Sequence, residues 1–159
     1  MASVRLTKKG YTRLKSEFDF LSQKERPKIV QGVATAAAEG DRSENAEYIY
    51  GKKKLREIDK RLQYLSRLLK NPEIIDTKMV NCDRVNFGTR VTVLDDDGNQ
   101  KTWTIVGESE ADYKENTISA MAPVALALLG KQIGDVVEVE RKIGPASYEI
   151  LDIAVGEID

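Results

Sequence analysis

The chain has 159 residues, with 25 Lys/Arg against 26 Asp/Glu, no histidine and a single cysteine, Cys82. Without imidazole, Ser-His and Cys-His nucleophilic catalysis and histidine metal ligation are excluded, and a lone cysteine forms neither an internal disulfide nor a multi-cysteine zinc site. Any bound metal must therefore sit on oxygen ligands, which suits a hard cation such as Mg²⁺.

The near-zero net charge hides a split. Residues 1–75 carry 17 Lys/Arg and 10 Asp/Glu, net +7, whereas residues 76–159 carry 8 and 16, net −8. Such asymmetry suggests a basic part that meets a polyanion and an acidic part that does not; Lys-rich solvated helices would produce the same numbers. There is no run of about 18 apolar residues and no signal-peptide pattern, so a cytoplasmic protein with no membrane partner is expected.

In chain order, Leu6-Thr7-Lys8 marks a helix entry, and Tyr11, Leu14, Phe18 and Leu21 recur at spacings of 3, 4 and 3, an apolar stripe of heptad type. Ile29, Val30, Val33 and Ala36 continue it through Pro27, where a kink is expected. The small residues from Ala34 to Ala38 allow close helix approach. Gly40 breaks the pattern, and Leu55, Ile58, Leu62, Leu65 and Leu69 resume it at spacings of 3, 4, 3 and 4. Two such stripes joined by a short turn predict an antiparallel coiled coil, residues 1–75, with its tip at 40–45. The 27 residues from Glu44 to Lys70 would reach roughly 40 Å.

Asn71-Pro72 ends the second helix, and Asn71 to Asp83 reads as a connector. Strands are predicted at Val91–Leu94 and Thr102–Val106 around an Asp95–Asn99 turn, then at Thr117–Ser119, Val136–Glu140 and Tyr148–Ile153. Pro123 to Leu129, followed by Gly130, predicts one short helix. Residues 76–159 thus form a small β-rich domain, and the fold class is α+β. An intramolecular hairpin needs no partner to bury its stripe, so a monomer is expected.

Two constellations carry chemistry. Asp41-x-x-Glu44 at a helix start is a capping box, with Asp41 on the backbone N–H groups and Glu44 reaching back. It is equally a carboxylate pair able to hold Mg²⁺ or position a water, with further ligands from a partner. The cluster Lys52-Lys53-Lys54, Arg56, Lys60-Arg61 puts Lys52, Arg56 and Lys60 on one helix face. That is either a solvated flank or a sequence-independent phosphate track, and Arg42 in the tip leans toward the second. Asp95-Asp96-Asp97-Gly98 fails as a calcium loop because Val93 occupies a ligand position, and Cys82 has no base to activate it.

The stretches Gly40 to Tyr48, Lys52 to Arg61, Glu25-Arg26-Pro27 and Leu128 to Asp135, in that order, resemble the Gre-type bacterial transcript cleavage factors, nearer the GreB branch through Arg42-Ser43 and the long basic cluster. The resemblance implies a coiled coil followed by a domain similar to the FKBP fold. It implies that the latter docks at the rim of RNA polymerase's secondary channel while the coiled coil carries Asp41 and Glu44 to the active centre. There they would share a Mg²⁺ with the polymerase and stimulate hydrolysis of backtracked RNA, with no nuclease activity of the factor alone. Arg42, Lys52, Lys53, Arg56 and Lys60 would hold the extruded 3′ segment of the nascent RNA. Met121, Ala122, Pro123 and Leu126 fall in the segment that docks on polymerase. Gre factors commonly have Asp or Asn then Ser before this proline, and Arg where Leu126 stands. Ala122 is a poor helix cap, at a cost of about 1 kcal/mol, and apolar contacts through Met121 and Leu126 would replace polar ones. Two other readings are a non-catalytic secondary-channel regulator and, from fold similarity alone, a folding helper with prolyl-isomerase activity.

Overall fold

A computed structural model describes residues 4–40 and 45–157. The chain divides into two compact units: residues 11–72 form one, and the segment up to Gly10 joins Glu73 onward in the other. The architecture is α+β, with long helices in the first unit and a mostly antiparallel sheet in the second. The expected division at residues 75/76 differs for a physical reason. Strand β1 (Arg5–Thr7) pairs in parallel with β2 (Glu73–Ile75), Leu6 opposite Ile74, so both ends of the helical segment are stitched into the second unit. The helix entry expected at Leu6-Thr7-Lys8 is where helix α1 (Lys8–Phe20) starts, and Leu6 and Thr7 also end strand β1.

In the helical unit, α1 runs into a five-residue π-helical stretch, Leu21–Glu25, and then into α2 (Arg26–Ala38). Pro27 has no N–H to donate and its ring crowds the preceding turn. The chain accommodates it by widening: the Arg26 N–H donates to the Leu21 carbonyl, a five-residue closure, so the helix carries on through the proline. Helix α3 (Ala46–Leu69) returns antiparallel and packs along α2. Leu14, Ala36, Ile58 and Leu65 are buried, whereas Tyr11, Phe18, Leu21, Leu55, Leu62 and Leu69 are half-buried, as expected of a narrow seam only two or three helices wide. Gly51 is buried opposite Val33, whose Cγ2 would lie 2.5 Å from an added Cβ, so the helices touch closely there. Of the alanine run only Ala36 is buried; Ala34 and Ala38 face solvent. Bidentate pairs tie the helices on the outside, Arg26 to Asp59 at 2.7 and 3.4 Å and Arg61 to Glu17 at 2.6 and 2.9 Å.

The second unit is built on a five-stranded sheet. Its strands are β3 (Thr89–Leu94), β4 (Gln100–Val106), β5 (Thr117–Ser119), β6 (Val136–Val139) and β7 (Ala146–Val155), in the order β5-β4-β3-β7-β6. Only β4–β5 is a parallel pair in this sheet. Alternation along β3 sends Val91 and Val93 into a core with Ile105, Ile150 and Leu128. The β3–β4 turn forms as expected. Asp95 Oδ1 accepts the Asp97 and Asn99 N–H groups, both at 2.9 Å, and Gly98 supplies φ +82°. That carboxylate is committed to the turn. Among the described residues no helix is long and apolar enough to cross a membrane.

Candidate functional site

The helical hairpin turns between Ala38 and Ala46, and its described edge is organised by Asn45. This residue sits in extended backbone (φ −84°, ψ 104°) as the N-cap of α3. Its Oδ1 accepts the Tyr48 N–H at 3.2 Å, and its Nδ2 donates to the Ala36 carbonyl at 2.8 Å. One amide therefore starts the outgoing helix and stitches it to the last turn of the incoming one. The expectation that Asp41 and Glu44 form the capping box of this helix is corrected here. The helix begins at Ala46, so a cap must sit at 45, and Asn45 fills it. Asp41, Arg42 and Glu44 themselves lie outside the described residues.

On α3, Lys52, Lys53, Arg56 and Lys60 are all exposed. At about 100° per residue they lie on the side away from the buried Gly51, Ile58 and Leu65, as one outward basic face. Arg61 leaves that cluster for its pair with Glu17, whose carboxyl is held below its ordinary range chiefly by the Arg61 hydrogen bond. Asp59 is lowered in the same way by Arg26. Lys54 points elsewhere, into a groove of about 680 Å³ between α2 and α3 that Phe20, Lys24, Lys28 and Tyr50 also line. Sequence patterning missed this groove. Its signals were Gly32 on an otherwise regular helix and aromatic residues off the buried stripe.

In the second unit, the segment before helix α4 (Pro123–Leu128) is held without a side-chain cap at Ala122. Ser119 compensates, its Oγ accepting the Met121 N–H at 3.0 Å and its carbonyl the Ala122 N–H at 2.9 Å. Ala125 and Leu128 are fully buried, whereas Met121 and Leu126 are 65% and 56% exposed. Pro123 starts the helix. The four expected docking residues thus lie along one short turn and helix, with two apolar side chains outward. A buried carboxylate that sequence reading passed over, Glu110, anchors β1 and the start of α1. Its Oε2 accepts the N–H groups of Thr7 and Gly107, both at 2.9 Å, and the Thr7 hydroxyl donates to Oε1. Thr7 Oγ1 accepts the Gly10 N–H at 3.0 Å, capping α1.

Residues 4–74 match the family model for the transcription elongation factor N-terminal domain, and residues 80–155 match the GreA/GreB C-terminal domain. The chain belongs to the GreA/GreB family. It is 44% identical over 154 residues to transcription elongation factor GreB of Yersinia pestis, covering 97% of this chain and 90% of that one. It is 40% identical to transcription elongation factor GreA of Rhizobium etli, covering 96% and 98%. The solved structure of Thermus aquaticus Gfh1 aligns over 97% of this chain and 99% of its own at 25% identity, with a TM-score of 0.43. This GreA/GreB-family chain is therefore a transcription elongation factor, and RNA polymerase is the partner that role implies.

Proposed function

We propose that this Gre-family factor enters the secondary channel of RNA polymerase and stimulates cleavage of backtracked nascent RNA, hydrolysis being carried out within the polymerase and not by the factor alone. The observation that carries the reading is the cap. Asn45 is the N-cap of α3 and holds it to α2, so neither Asp41 nor Glu44 is the N-cap of that helix. Asp41 and Glu44, two carboxylates three residues apart in the sequence just before that cap, would carry the chemistry. As hard oxygen donors they fit Mg²⁺, which they would hold together with carboxylates of the polymerase. When bound, the ion favours the hydroxide form of the attacking water and stabilises charge on the phosphodiester oxygens.

The chain's other residues would position the substrate. Lys52, Lys53, Arg56 and Lys60 form an exposed cationic track that neutralises phosphates without reading bases, and Arg42, in the tip sequence, would add a further cation. Water adds at phosphorus and the upstream nucleotide's 3′ oxygen leaves, so the RNA regains a 3′ hydroxyl in register. Met121 and Leu126, exposed on the α4 segment, would meet the channel rim through apolar contact.

Halted, backtracked complexes with labelled RNA and Mg²⁺ test this. Wild type should cut; Asp41→Asn and Glu44→Gln should bind equally well and lose at least about a hundredfold of the stimulated rate, the scale of removing a group that acts in the transition state. Undiminished cleavage by the bound variants would refute the carboxylate role. Binding without cleavage by wild type would make the protein a non-catalytic channel regulator.

A further inference from the structure

The groove between α2 and α3 has a chemistry the basic face lacks. Its walls are Phe20, Ile29, Val33 and Tyr50, with Phe20 53% and Tyr50 67% exposed. Gly32 is an exposed lining residue, and an added Cβ there would meet nothing within 4 Å. Lys24, Lys28 and Lys54 stand among its lining residues against Glu25 and Glu47, a net positive lining. Glu47, Tyr50, Gly51 and Lys54 follow helical spacing on one side of α3, and Lys52, Lys53, Arg56 and Lys60 occupy the opposite side.

We propose that this groove is a protein-docking site, and that its occupant is an apolar peptide segment of RNA polymerase flanked by Asp or Glu side chains. The proposal rests on the reading above that the arm works inside the polymerase. Exposed aromatic side chains around a concave apolar floor are a contact surface, of the kind that receives apolar anchors of a peptide. The ammonium groups of the lining select carboxylates beside those anchors by charge complementarity. A single RNA strand is the weaker match. Its phosphates need a continuous cationic track, which the outer face of α3 provides, whereas in the groove the lysines are interrupted by Glu25 and Glu47. One helix would thereby face RNA on one side and protein on the other.

A photo-crosslinking benzoylphenylalanine placed at position 50, and separately at position 56, tests the division on purified backtracked complexes of the cognate polymerase with labelled RNA. Position 50 should attach to a polymerase subunit and position 56 to the RNA. RNA attached at position 50, or no adduct there while position 56 reacts normally, overturns the proposal. Adducts at neither position overturn it together with the channel reading. Gly32→Leu provides the second arm. Filling the groove should weaken polymerase binding about tenfold, the effect of losing one good anchor, while helicity and Tm hold or rise because leucine favours helix over glycine. Combined reversal of Lys24, Lys28 and Lys54 to Glu should weaken it similarly. Unchanged affinity in both variants would refute the site.

Discussion

Asn45 makes a quantitative claim that substitution can isolate. Replacing it with alanine removes two bonds: the cap to the Tyr48 N–H and the amide bond to the Ala36 carbonyl. Loss of the cap costs about 1 kcal/mol. The Ala36 carbonyl still accepts the Glu39 N–H at 3.2 Å, so it is not stranded, and losing the second donor costs the net value of one bond, again about 1 kcal/mol. Asn45→Ala should therefore destabilise the helical unit by about 2 kcal/mol, a fall of roughly 10 °C in the melt followed at 222 nm for a unit of this size. Asn45→Ser separates the parts. Serine caps as well as asparagine but is too short to span to Ala36, so about half the loss should return. Amide exchange at Tyr48 should accelerate in the alanine variant and stay slow in the serine variant. If alanine costs less than about 0.5 kcal/mol, or serine and alanine cost the same, the two-bond account fails, and with it the assignment of Asn45 as the residue that starts α3.

Gly10→Ala should destabilise the second unit by about 3 kcal/mol, because its Cβ would collide with the buried Glu110 carboxylate; combining it with Glu110→Ala should cost less than the sum of the two changes in urea titrations, since the clash disappears. Acid should weaken the helical unit. Glu17 and Asp59 are held below their ordinary ranges by Arg61 and Arg26, so these pairs contribute in full above the unfolded carboxylate values and are lost as pH falls through the lowered ones. The Glu17–Arg61 side chains are 35% and 43% exposed, which limits this pair to about 1 kcal/mol after screening. Melts at pH 6 and pH 3 should differ less in Glu17→Gln than in wild type, and an unchanged difference would show that the pair contributes nothing.

What the sequence made legible was whatever is decided locally. The β3–β4 turn was readable because Asp95 bonds to N–H groups two and four residues on and Gly98 takes the left-handed backbone, all within five residues. The two helical stripes were readable because their period lies in one segment each. The strands β1 and β2 were not, since Arg5 pairs with Glu73 across 68 residues and three-residue strands carry no period of their own. The cap was misplaced for a related reason. Asp41, Ser43 and Asn45 are all competent caps by residue type, and Asn45 also reaches back to Ala36, a contact invisible in local spacing.

The division of charge follows the same logic one level up. A net of +7 over residues 1–75 pointed to a polyanion but could not say which lysines would meet it. Folding sorts them. Glu17 takes Arg61 out of the cluster, the groove takes Lys24, Lys28 and Lys54, and the exposed side of α3 keeps Lys52, Lys53, Arg56 and Lys60. The cations that remain on that outward face need neither the groove nor the hairpin seam. Charge reversal there should therefore weaken RNA retention and flatten its salt dependence, since fewer phosphates are neutralised, while leaving the α2–α3 packing at Gly51 and Ile58 untouched.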